Sequence, residues 1–197
     1  VPTFAEFVAG VYELTVRPDL VADTAAAVKS ATLWAHTSDF YPKDIYEVPV
    51  SWNSPAVLQE FEYRTHIPRW RALKYFRHYD FTADMPGDFF TVLDPVEALD
   101  RYYVQRSNIA YMAGELLKFR GHEEFSGGLL GCYIYPDVAP ETYKSWIAVE
   151  DQFIILYKAA ATVLRTTGFV ERAKNLEAEA KEHLMLLSRS NILAVGE

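Results

Sequence analysis

A chain of 197 residues, half of them hydrophobic and 15% aromatic, can bury a core without covalent staples, which excludes extended disorder. Its single cysteine, Cys132, excludes an internal disulfide framework and a multi-cysteine zinc site, and its net charge of −8 argues against gripping nucleic acid by bulk charge. No apolar run approaches the roughly 18–20 residues a membrane span needs, and no basic region followed by an apolar stretch opens the chain, so neither a span nor a signal peptide is expected.

In chain order, residues 3–15 are expected to form an amphipathic helix. Thr3 caps it, Glu6 completes a capping box, and Phe4, Phe7, Val8, Val11, Tyr12 and Leu14 recur at helical spacing. A break at Arg17-Pro18-Asp19 leads into a second helix over 18–36, with Pro18 in its first turn and a stripe of Leu20, Val21, Thr24, Val28, Ala31 and Ala35. The text then turns aromatic and β-branched. Alternation over 46–50 and 58–63 predicts strands, residues 69–79 are a further strand candidate with a helix as the alternative, and Pro49, Pro55 and Pro68 mark edges or strand ends. Asp94-Pro95 can start one turn of helix.

Residues 109–120 read as a hairpin turning at Ala113-Gly114-Glu115, followed by a polar loop over 121–128 and a strand over 129–135. Within that apolar strand, Cys132 reads as a buried, inert thiol. A helix then opens at Ser145 or Glu150 and runs to about 167, with Gly168 as its left-handed terminator. The last helix covers 170–187 with Ala173, Leu176, Ala180, Leu184 and Leu187 on one side. Residues 188–197 are apolar for a chain end and are expected to dock on something. The order of helices, strands and helices predicts an α+β fold: a helical bundle from residues 1–40 and 145–197, with an antiparallel β subdomain, 41–144, inserted between them.

The search for chemistry returns little, and neither an enzyme nor a cofactor is expected. The phosphate-binding Gly-x-x-x-x-Gly-Lys-Ser/Thr and Gly-x-Gly-x-x-Gly loops and the Gly-x-Ser-x-Gly nucleophile elbow are all missing. None of His36, His66, His78, His122 and His183 follows an acid by three residues, as di-iron bundles require. Glu179 and His183, four apart, with Glu182 beside them, make a metal-binding helical enzyme the alternative reading. His122-Glu123-Glu124 lacks the second histidine of a zinc helix and reads as a solvated charge cluster. Arg64, His66, Arg69, Arg71, Lys74, Arg77 and His78 interleave with Trp70, Tyr75 and Phe76. The strip has the composition of a nucleic-acid module; a solvated strand face, or one paired with acids of another subunit, accounts for it more simply. Twelve Phe, thirteen Tyr and four Trp are many for this length, and aromatics anchor interfaces.

Several stretches together carry a resemblance. They are Phe40-Tyr41-Pro42-Lys43-Asp44 after an Ala-rich helix; Ala110-Tyr111-Met112-Ala113-Gly114 with Leu116, Lys118 and Arg120; Tyr133-Ile134-Tyr135-Pro136-Asp137; Ser145-Trp146-Ile147-Ala148; Ile154-Ile155; Ala159-Ala160-Ala161; and a final helix with Ala173 and Ser190-Asn191-Ile192. From about residue 11 onward this texture resembles the head-to-tail adaptor, or connector, proteins of tailed bacteriophages, departing from them at Val149-Glu150-Asp151-Gln152. The resemblance implies a structural virion protein of the neck, made in the bacterial host cytoplasm. Such proteins form homo-oligomeric rings, commonly dodecamers, that dock beneath the portal protein and meet a tail or neck completion protein. DNA passes through the channel without specific binding. Carried over by position, Ser190, Asn191, Ile192 and Leu193 are the portal-contacting residues, and the β subdomain faces neighbouring subunits or tail proteins. A negative channel wall along which DNA slides is one use for the net charge.

Overall fold

The computed structural model describes residues 2–53, 57–100, 105–122 and 125–195, the last four as backbone only. The fold is α+β. Its helices are α1 (Phe4–Thr15), α2 (Val21–Thr37), α3 (Tyr63–His66), α4 (Trp146–Glu150), α5 (Gln152–Thr166) and α6 (Val170–Val195). Its strands are β1 (Ile45–Ser51), β2 (Gln59–Glu62), β3 (Trp70–Asp80), β4 (Met85–Phe89), β5 (Thr91–Val92), β6 (Ile109–Ala113), β7 (Leu116–Arg120) and β8 (Gly127–Ile134). The chain divides into two compact units, one from Val1–Lys43 with Tyr135–Glu197, the other Asp44–Ile134.

The expected insertion over 41–144 is therefore too wide, because residues 135–144 belong to the helical unit. Tyr143 shares a 2.9 Å hydrogen bond with Thr32 of α2 and sets its ring edge-on to Phe4 and Phe7 of α1. A bridge between Asp137 and Lys144 closes the loop.

In the helical unit, α1 opens on the expected capping box. The Glu6 amide donates to Thr3 Oγ1 (3.3 Å), and the Thr3 amide donates to Glu6 Oε2 (2.6 Å). Pro18 lies outside α2, contrary to expectation. Arg17 clasps Asp19 through two bonds of 2.8 and 2.9 Å, holding that segment as a turn, so the helix starts at Val21. Small residues on α2, Ala27, Ala31 and Ala35, share one core with Ile154, Ile155, Ala159, Ala160 and Val163 of α5.

Two caps replace the single helix start expected near Ser145 or Glu150. The Ser145 hydroxyl accepts from the Ala148 amide (3.2 Å), and Asp151, extended at φ −149, interrupts the helix and accepts from the Phe153 amide (3.0 Å). Gly168 sits at φ +89 as expected. The last helix does not stop at 187 but continues to Val195. Ser188 and Asn191 turn their side chains back onto the Leu184 and Leu187 carbonyls, and neither Gly nor Pro interrupts the run.

The β unit holds two four-stranded sheets, ordered β1-β8-β3-β4 and β2-β7-β6-β5. The expected antiparallel pairing holds except between β5 and β6, which run parallel. Pro49 lies on the edge strand β1 and Pro86 on the edge strand β4, where a missing N–H breaks no ladder; Pro55 falls outside the described residues. The hairpin turns at Gly114-Glu115 with Gly114 at φ +63. Gly127 and Gly128, expected in a loop, instead open β8. A Cβ on Gly128 would stand 2.8 Å from the Arg77 carbonyl of β3, so the close approach of these strands requires glycine there.

Much of the aromatic content fills this core rather than the surface. Trp52 meets Phe76, Phe90 and Phe119 edge-on and donates its indole N–H to the Phe125 carbonyl (2.9 Å). Cys132 is fully buried, and burial pushes its thiol up to about 11, out of reach of thiolate chemistry at neutral pH.

Candidate functional site

Helix α6 displays the residues of the metal-binding alternative but does not bring them together. Glu179 and Glu182 are exposed. His183 faces the start of α5, its Nδ1 2.6 Å from Asp151 Oδ2, with the rings of Tyr157 and Phe153 at 5.9 and 6.0 Å. Asp151 thus caps α5 with one oxygen and holds His183 with the other. Among the described residues, no group of three or more His, Cys, Asp or Glu is placed to hold a metal ion. His122 lies in an irregular segment, and Glu123 and Glu124 fall outside the described residues.

A buried serine–histidine pair escaped the sequence reading. His36 Nε2 of α2 lies 2.9 Å from Ser145 Oγ, with the His36 and Trp146 rings nearly perpendicular. Ser145 is 3% exposed and already caps α4, so its hydroxyl is neither free nor open to a substrate. Nothing in the sequence links two residues so far apart in number.

The basic strip is divided by β3. Trp70, Phe76 and His78 are buried, and the Tyr75 hydroxyl donates to Glu47, so the aromatics a base would stack on are engaged inside the chain. Arg77 turns inward, donating to the Gly87 carbonyl (3.1 Å) under the Phe89 ring. Arg64 reaches Glu115 at 3.6 Å, and His66 bonds the Glu62 carbonyl. Arg69 and Lys74 remain exposed at the start of the strand, while Arg71 is half-buried.

The end of α6 presents an open surface. Tyr41 bonds Ser188 at 3.0 Å, beside a shallow hollow of about 320 Å³ lined by Ser38, Asp39, Leu184, Met185, Ser188 and Arg189. Met185 and Leu186 are more than half exposed. Ser190 is exposed and Asn191 partly buried, whereas the side chains of Ile192 and Leu193 fall outside the described residues. The backbone there continues as helix.

Electrostatics anchor α6 to α5. Glu177 accepts from Lys158 (2.6 Å) and Arg165, with Lys181 at 3.7 Å, and the bonds to Lys158 and Arg165 hold its carboxyl down at about 2. Because that value lies below the ordinary 4.5, the stabilisation is complete above pH 4.5 and is lost as pH falls towards 2. Glu177→Gln is expected to cost about 2 kcal/mol at pH 7, since two cations lose their partner. Urea denaturation at pH 7 and pH 3 checks this, with the difference between variant and parent shrinking at the lower pH.

No helix among the described residues is long and apolar enough to cross a membrane. No family model matches the chain, and no curated protein matches it.

Proposed function

We propose that this chain is a subunit of the head-to-tail adaptor ring of a tailed bacteriophage. In this reading identical copies, commonly twelve, close into a ring beneath the portal, continue the DNA channel and pass it to a tail or neck completion protein. The role is structural and calls for no cofactor. The order of the elements supports it, because the resemblance implies a helical bundle carrying a β insertion.

The observation that carries the proposal is the reach of α6. At 26 residues it is roughly 39 Å long, against 15 residues for the α5 partner that it packs on. Among the described side chains its last bond to another helix or loop of the unit is that of Ser188 to Tyr41, and the helix runs on to Val195. A preformed helical tip loses less conformational entropy on docking than a loose tail does.

Negative-stain electron microscopy of the full chain mixed with a portal from the same source tests the reading. A ring added to the portal is expected. Removing residues 190–197 is expected to abolish that addition while leaving the circular dichroism of the subunit almost unchanged. Full-length protein that never joins the portal would overturn the proposal.

A further inference from the structure

The β unit is electrically lopsided along its longest strand. Strand β3 runs from Trp70 to Asp80, a span of roughly 35 Å. Arg69 lies just before it and Lys74 is its fifth residue, both exposed and, among the described residues, neither in an ion pair. From residue 78 to residue 100 the sequence contains Asp80, Asp84, Asp88, Asp94, Glu97 and Asp100, with neither Lys nor Arg.

Strand β4 pairs only with the far end of β3, matching Arg77 to Phe89 and Asp80 to Met85, so the first three of those acids gather at that end. No described Lys or Arg pairs with Asp80, Asp84 or Asp88. Arg77, on the same stretch of β3, donates instead to the Gly87 carbonyl.

The acidic end is also apolar. Phe81, Met85 and Phe89 are 47%, 61% and 57% exposed among those acids. Large side chains left in water beside charge are the usual composition of an interface waiting for a partner. The basic end offers a smaller apolar match: Pro68 is exposed, and Lys74 lies over the Tyr133 ring.

We infer that the β3–β4 hairpin of one copy docks on the Arg69–Lys74 end of β3 in a second copy, acids to bases and Phe81, Met85 and Phe89 to its apolar surface. Two different patches meet in this contact, so it is heterologous, the kind of contact that makes a ring when its rotation closes. Opposite charge at the two ends also disfavours like ends meeting, which sets the direction of assembly. The partner's identity as a second copy rests on the adaptor reading; the charge pattern specifies which surfaces touch.

Charge exchange in the full-length protein tests it, read by sedimentation velocity at low salt. Thr82→Lys/Asp84→Asn/Asp88→Lys reverses the acidic end, and asparagine keeps the left-handed backbone that position 84 needs at φ +52. Arg69→Glu/Lys74→Glu reverses the basic end. Each set alone is expected to weaken self-association by about tenfold or more, and 0.5 M salt is expected to weaken that of the parent. An equal mixture of the two, or one chain carrying both sets, is expected to regain association, which a variant that merely misfolds would not do. Association of the parent that neither set weakens would overturn the contact and leave the ring reading standing. So would a loss of association that the mixture fails to restore in well-folded variants. A parent that stays monomeric at low salt overturns the contact as well, whereas the adaptor reading is decided separately by the portal mixture.

Discussion

Phe76→Ala is expected to destabilise the β unit by about 3–5 kcal/mol. The side chain is fully buried at the centre of β3, stacked on Phe90 with centroids 4.2 Å apart and edge-on to Phe119 at 5.0 Å and Trp52 at 6.2 Å. Removing it forfeits the transfer energy of a whole ring and leaves a cavity beside Gly128, which has no side chain to fill it. Collapse into the space is resisted because Trp52 is pinned through its indole N–H to the Phe125 carbonyl. Amide exchange by β3 and β8 measures the effect directly. Their slowest amides should exchange about a hundredfold faster or more, and unchanged rates would show that the aromatic cluster does not hold the sheet together.

Acid is expected to weaken the same unit through His78. Its Nε2–H donates to Asn108 Oδ1 at 2.9 Å, an orientation set by the Asn108 amide, which itself donates to the Phe89 carbonyl at 3.1 Å. The other ring nitrogen is buried with no hydrogen-bond partner among the described residues, between Phe125 and Phe90, whose centroids lie 4.7 and 4.2 Å away. Burial is the main reason its pKa is lowered from 6.5; His122 adds to this, while the bond to Asn108 and the charge of Asp88 oppose it.

The unfolded chain therefore takes up a proton that the folded chain refuses. Stability is complete above pH 6.5 and falls as pH drops from there towards the lowered folded value. His78→Phe keeps a ring in place and removes the titration. Urea midpoints at pH 7.5 and pH 5.5 should show a smaller loss in the variant than in the parent, and parallel losses in both would remove His78 as the cause.

What was legible in the sequence was local. Thr3 and Glu6 stand three residues apart, so the first cap could be read from spacing alone. Gly114 between two apolar runs marked the hairpin for the same reason. Strand β4 was not legible, since Met85-Pro86-Gly87-Asp88 has the composition of a turn and becomes a strand only by pairing with β3. The extent of α6 was misjudged because Ser188 and Asn191 are weak helix formers, and their back-bonding to Leu184 and Leu187 is invisible in composition. Asp151 with His183, and His36 with Ser145, join residues whose numbers differ by 32 and 109, which periodicity cannot register.

The insertion of the β unit into the helical one orders events during synthesis. Helices α1 and α2 leave the ribosome early, yet Ile154 and Ile155, on which their apolar stripes close, are translated about 120 residues after Val28. At roughly 5–20 residues per second that is a delay on the order of ten seconds. The β unit is one continuous stretch, Asp44–Ile134, and has all its own partners before then. It can therefore fold while α1 and α2 still expose Phe4, Phe7, Val11 and Val28, making the nascent chain a natural client for a chaperone that shields short apolar helices.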